Sequence, residues 1–440
     1  MGLPLKGNVK FIDLFAGMGG IRLGFENIMN QGGYSTECVM TSEIKPGAIE
    51  TLKYNFKHNL LVGNIFDILN NSIPDFDFLL AGFPCQPFSI SGKGDGFLDT
   101  RGTLFFEIER ILRCKKPYGF ILENVEGLVK HNILNKKDDI GATLKTILNI
   151  LEIDLGYKVT WKVFDSLEFG VPQSRKRIFI VGTKDQKIDL DGNIPTYSIL
   201  RDILEAGLEP LQTEFTKKLL SQFKISELYG KSIKDKRGGV NNIHSWDIGV
   251  KGIVSEKQCL ILNKLFKERR KKHWSQEIGI DWMDGIPLTL DQIKTFIDIS
   301  EEDLKILLDD LVNKKYLKFE HPKKLVKEYI LGGIKKYREY DPTKSKGYNI
   351  ITGKLSFDIN KILDPNNVAP TIVATDASKL AVPDGMNLRR LSTREGLRLF
   401  GYPEWYNIPS KKCDIFDLLG NTVTIPVVEF ITSKIYERLK

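Results

Sequence analysis

The 440-residue sequence has no long apolar run: every hydrophobic stretch is broken by charge before the ~18 residues that a bilayer span requires. Its opening, MGLPLKGNVK, lacks the apolar centre of a secretory signal. A soluble chain, with no membrane attachment, that stays where it is made is therefore expected. Cysteines are few and show no pairing pattern. Cys38, Cys85, Cys114, Cys259 and Cys413 are odd in number, far apart and form no C-x-x-C, which argues against a disulfide framework or a structural metal site and points to a reducing cytosol. Internal repeats and low-complexity tracts are also missing. Charge bias is weak: 64 basic against 56 acidic residues leave +8, a mild preference for polyanionic partners. The densest basic clusters, KERRKKHW (267–274) and KKLVKEYILGGIKKYRE (323–339), can each be a phosphate contact or a solvated face.

What the sequence does have is alternation. Between residues 10 and 183, strand-like runs such as KFIDLF, ECVMTSE, FDFLLAGF, YGFILENV and RIFIVGT exchange with helical patterns such as GTLFFEIERILR. This predicts an α/β fold with a doubly wound, mainly parallel sheet. The alternation stops near 185, and a helical run with a long apolar segment returns after 388. Three regions are expected: 1–185, a smaller irregular domain over 186–388, and 389–440 returning to the first.

Cys85 lies in GFPCQPFSISGKGDGF (82–97), between two prolines, just after the strand-like FDFLLAGF. Strand C-terminal ends are where open α/β sheets bind ligands. A thiol on a fixed turn there is a candidate nucleophile, although a lone cysteine is often only a small buried hydrophobe. The first strand leads into FAGMGG, where Gly17, Gly19 and Gly20 permit a sharp turn and close approach of backbone to ligand. Glu43, at the end of the second strand, suits a pair of ribose hydroxyls. With neither G-x-G-x-x-G nor a P-loop lysine, the ligand expected is a nucleoside rather than a pyrophosphate. Glu123 ends the strand GFIL, and QSRKR (173–177) puts Arg175 and Arg177 on one face if extended.

In this order, FIDLFAGMGG, the Glu43 segment, FPCQPFS, RGTLFFEI, ENV, QSRKRIFIVG, RRLSTREGLRLFGYP and LLGNTV resemble the blocks of the DNA cytosine-5 methyltransferases over almost the whole chain. The resemblance implies an S-adenosyl-L-methionine-dependent methyltransferase fold and methylation of a flipped-out cytosine in double-stranded DNA. Cys85 would attack C6 and Glu123 would bind and protonate N3. Arg175 would contact O2, while Arg177 would order the wall of the site. For the cofactor it implies Phe15, Ala16, Gly17, Gly19, Gly20, Glu43, Ile44, Ile65, Pro84, Leu104, Asn421 and Thr422. Asn64 stands where the family usually has an aspartate accepting from the adenine amino group, so that contact loses its charge assistance. Gln86, Ser89 and Lys93, in a Gly-rich stretch able to close over the base, would face DNA.

The resemblance makes 186–388 the target-recognition region. Within it, 287–319 reads as helix, turn, helix, strand, as in a winged helix. Its second helix shows Glu301, Glu302, Asp303, Asp309 and Asp310, which oppose phosphates and favour a structural insert over a groove reader. A prokaryotic, cytoplasmic, monomeric enzyme of a restriction-modification system, without an obligate protein partner, is expected. The alternatives are a tRNA cytosine-5 methyltransferase, disfavoured because the block reads Phe83-Pro84-Cys85-Gln86 rather than Pro-Pro-Cys-Gln, and a catalytically silent DNA- or cofactor-binding regulator.

Overall fold

Phe11, Ile12 and Leu14 of the first strand are all fully buried, so this strand needs a cover on each of its faces. The structure, a computed structural model, describes residues 7–84, 103–133, 138–194, 196–235, 241–330, 333–352, 357–373, 377–409 and 412–439. In chain order the first elements are β1 (Asn8–Leu14), α1 (Gly20–Gln31), β2 (Ser35–Ser42), α2 (Pro46–Asn55), β3 (Leu61–Val62), β4 (Phe78–Gly82), α3 (Thr103–Lys115), β5 (Gly119–Val125), α4 (Ala142–Asn149), β6 (Lys158–Asp165) and β7 (Lys176–Thr183). The strands form one seven-stranded sheet of order β3-β2-β1-β4-β5-β7-β6. Only β7 is reversed, antiparallel to β5 on one side and β6 on the other. The mainly parallel, doubly wound sheet expected from the alternation is therefore present.

Side chains alternate across the sheet and build two cores. Phe11, Phe78, Leu80, Ile121 and Val181 point to one side, where α1 and the helix Ile425–Leu439 lie. Ile12, Leu79, Ala81, Leu122 and Ile180 point to the other, against Ile108 and Ile111 of α3 and Leu144 and Ile147 of α4. A Cβ at Gly24 of α1 would come within 2.8 Å of Val428, so glycine sets how closely α1 approaches the helix that follows residue 424.

The chain divides into two compact units, 1–208 with 364–378 and 390–440, and 209–363 with 379–389. The 388/389 boundary expected from composition falls one residue from the observed limit, whereas the first unit runs past 185 to 208 and also takes in 364–378. The reason is backbone pairing: Leu200 N–H donates to Asn367, Ser174 N–H to Ala369 and Ala369 N–H to Pro172, which ties 364–378 to the first unit.

The second unit has a five-stranded sheet ordered Asn387–Arg390, Leu380–Asp384, Lys361–Ile362, Ser232–Ile233, Asn242–Ile243. It also has a helical core where Leu304, Leu308 and Leu311 of the helix Glu301–Asn313 meet Ile261, Leu265 and Trp246. The strand Leu317–Glu320 pairs with Gly347–Ile350, and Lys323–Ile330 pairs with Gly333–Tyr340 as an antiparallel ribbon. No helix among the described residues is long and apolar enough to cross a membrane. No group of three His, Cys, Asp or Glu that could hold a metal occurs among them either.

Candidate functional site

The turn after β1 is held open by left-handed backbone at Phe15 (φ 54°), Gly17 (φ 54°) and Gly19 (φ 72°). For a phenylalanine this is a costly conformation, and such outliers concentrate at functional sites. At Gly19 glycine is required twice over, since a Cβ would also lie 2.6 Å from the Phe56 ring. Glu43 fixes the turn to the end of β2. Its Oε2 accepts from Gly17 N–H at 2.7 Å, and its Oε1 accepts from Ile44 and Lys45 N–H, each at 2.8 Å. A carboxylate offers about four lone-pair directions, so about one remains for a ligand.

A pocket of about 320 Å³ opens beside this turn, at the C-terminal ends of the parallel strands. Phe15, Ile44, Ile65 and Leu104 give it apolar walls. Ile44 is 68% exposed although it lines a cavity, an uncovered surface suited to a flat ring. Asn64 Oδ1 accepts from Phe66 N–H at 3.3 Å, capping the short turn Ile65–Asp67, and the side chain also reaches the pocket. Gly17, Glu43, Pro84 and Asn421 also line it.

Ala16, Gly19, Gly20 and Thr422 do not line the pocket and stand behind it. Ala16 N–H donates to Ser42 across the sheet. A Cβ at Gly20 would meet Val423 at 2.8 Å and the Tyr402 hydroxyl at 2.9 Å, and Thr422 Oγ1 shares a 2.5 Å hydrogen bond with that hydroxyl. These residues hold the wall in place.

At the far end of the pocket, β5 lies beside β4 in a register that pairs Glu123 with Gly82, three positions before Cys85. Cys85, Gln86, Ser89 and Lys93 lie outside the described residues. Glu123 is buried, 9% exposed, and its Oε1 is 3.1 Å from Arg177 Nε. Burial raises its pKa above the ordinary carboxyl value, against the pull of Arg177 and, more weakly, Arg175. Asn124, not singled out by its sequence, donates from Nδ2 to the Phe83 carbonyl at 2.9 Å and so braces the chain entering Pro84 and Cys85.

The two arginines, both lining the pocket, are held differently. Arg175, only 3% exposed, donates to the carbonyls of Ile372 (3.0 Å), Gly420 (3.0 Å) and Thr422 (2.8 Å), with its guanidinium over the Phe400 ring. Burial lowers its pKa to about 9, so it stays charged at neutral pH. Arg177 is the cation at Glu123, because Val125 pairs with Arg177 across β5 and β7. Gln173, also buried, donates to Leu399 and accepts from Ile372, continuing the row that Arg175 begins.

A family model described as C-5 cytosine-specific DNA methylase matches residues 9–437. The chain is 54% identical over 431 residues to "Type II methyltransferase M.NlaIV" of Neisseria lactamica, covering 98% of this chain and 99% of that one. It is 38% identical over 455 residues to "Type II methyltransferase M.BanI" of Aneurinibacillus aneurinilyticus, covering 98% and 96%. The solved structure of the S. pombe Dnmt2 methyltransferase shares the fold, with a TM-score of 0.50 and 15% identity over 98% of this chain and 99% of that chain.

Proposed function

Since the chain belongs to the C-5 cytosine-specific DNA methylase family and is a DNA (cytosine-5-)-methyltransferase of the type II restriction-modification class, we propose that it methylates a flipped-out cytosine in one short duplex motif through a covalent bond from Cys85 to C6. The observation that carries this reading is the buried Glu123, paired with Arg177 and set in register with the strand that leads to Cys85.

S-adenosyl-L-methionine fits the pocket: apolar walls at Phe15 and Ile44 suit the adenine, and the remaining acceptor direction of Glu43 suits a ribose hydroxyl. When bound, it supplies an electrophilic methyl group. The Cys85 thiolate adds to C6 and the ring electrons move toward N3, where Glu123 delivers its proton. Burial raises the pKa of this carboxyl and so favours the protonated form that the step needs. Arg177, adjoining Glu123 and lining the pocket, takes the O2 contact first expected of Arg175 and supports the charge that develops on the ring. C5, now enamine-like, would accept the methyl group as its bond to the sulfonium sulfur breaks, leaving the neutral thioether. Loss of the C5 proton to solvent then restores the C5=C6 double bond and expels the thiolate, and N3 returns its proton to Glu123. The second unit selects the motif. The enzyme works as a cytoplasmic monomer on host DNA and protects it from a cognate endonuclease.

Methylation sequencing of plasmid DNA from cells expressing the wild type or Cys85→Ser tests the reading. One short motif methylated at C5 is expected from the wild type and none from the variant. No methylated motif from a folded wild type that binds S-adenosyl-L-methionine would overturn it.

A further inference from the structure

Of the two basic clusters in the sequence, the first has its arginines and Lys271 committed to partners within the fold. Arg269 is buried and donates to Asn349 at 2.7 Å, Arg270 pairs with Asp284 at 3.1 Å, and Lys271 pairs with Glu268 at 2.7 Å. The second forms the antiparallel ribbon of Lys323–Ile330 with Gly333–Tyr340.

Directly opposed residues in an antiparallel ladder share a face. On one face Lys323 opposes Tyr340, Leu325 opposes Arg338 and Lys327 opposes Lys336. That face carries four cations and no acid. On the other, Lys324 opposes Glu339 and Glu328 opposes Lys335, so the charges cancel, and Lys324 pairs with Glu339 at 3.2 Å. The cations of the basic face are not equivalent. Arg338 is anchored to the Trp282 carbonyl at 2.8 Å, and Lys323 lies over the Tyr340 ring at 4.8 Å. Lys327 and Lys336 are exposed, and no ion pair holds either of them among the described residues. Like charges set directly opposite each other destabilise a strand pair, and a polyanion laid across them removes the penalty. The helix Glu301–Asn313 of the same unit has the opposite character, with Glu301, Glu302 and Asp303 in its first turn.

We propose that the Lys327–Lys336 face of this ribbon contacts the phosphate backbone of the duplex substrate, positioning the DNA without reading its sequence. The inference rests on the reading that the substrate is duplex DNA. Binding of the full-length protein to duplexes with and without its methylation motif, measured across a salt series, tests it. In Lys327→Gln/Lys336→Gln the slope of log affinity against log salt should become shallower by about 1.8, the counterions of two phosphates. Both duplexes should be weakened alike, with the same motif methylated and a thermal midpoint equal to or above that of the wild type. Lys335→Gln, a charge loss on the balanced face, should leave the slope unchanged. An unchanged slope in the folded double variant, or an equal loss in Lys335→Gln, would overturn the assignment to this face. A wild type that binds no duplex would remove the DNA reading itself and the ribbon's role with it, a result recognisable without any variant.

Discussion

Arg175 and Arg177 are separated by one residue, yet substitution at the two should read out differently. Alanine at 175 takes donors from three buried carbonyls near residues 372 and 420–422 and should cost about 3 kcal/mol or more. That is visible as a lower urea midpoint and a loss of S-adenosyl-L-methionine binding together. Alanine at 177 should spare most of the stability and cofactor binding while turnover falls about a hundredfold or more. Equal stability losses in the two variants would show that the site does not divide the work this way. Asp13 offers a second measurement. It is fully buried at the end of β1, its Oδ2 has no hydrogen-bond partner, and burial raises its pKa to about 8 against the attraction of Arg22. A carboxyl raised on folding binds more protons in the native state, so its effect on stability is harmless below its unfolded value of 3.8. The effect grows more adverse as pH rises toward about 8. Asp13→Asn should therefore be no less stable than the wild type at pH 8, and its stability should vary less between pH 4 and 8. Parallel stability curves for the two proteins across that range would show that the carboxyl does not retain its proton.

At the scale of elements, α1 and the helix Ile425–Leu439 meet at Gly24, where a Cβ would already lie 2.8 Å from Val428. Gly24→Leu should cost about 1–3 kcal/mol by overpacking, with a lower thermal midpoint. A midpoint equal to that of the wild type would mean the two helices can part freely. The strands were legible because β1, β4, β5 and β7 are covered on both faces and read as continuous apolar runs. β6, KVTWKVFD, half-buried along most of its length, gave no comparable signal. The reversal of β7 and the return of 364–378 were hidden, because both depend on pairings between distant segments. The site shows the same limit. Spacing alone put Arg175 and Arg177 on one face, but which one adjoins Glu123 depends on the β5–β7 register and on carbonyls some two hundred residues away. Asn124 went unassigned because its partner is a backbone carbonyl, which leaves no mark in a sequence pattern.

For the whole molecule, the unit that holds the pocket is assembled from three stretches of chain. Residues 1–208 alone would leave Phe25, Ile21 and the rest of that core without Val427, Val428 and Ile431. This fragment should bind a hydrophobic dye and fail to bind S-adenosyl-L-methionine, and co-expression with residues 364–440 should restore binding. Full-strength binding by 1–208 alone would show that the returning segments are dispensable.

The pairing of α1 with Ile425–Leu439 also bears on how the protein is made. Gly24 leaves the ribosome about 400 residues before Val428, a wait of roughly 20–80 s at about 5–20 residues per second. Throughout that interval the nascent chain carries an uncovered apolar helix face. Its yield in the cell should therefore depend on chaperones that shield that face until translation ends.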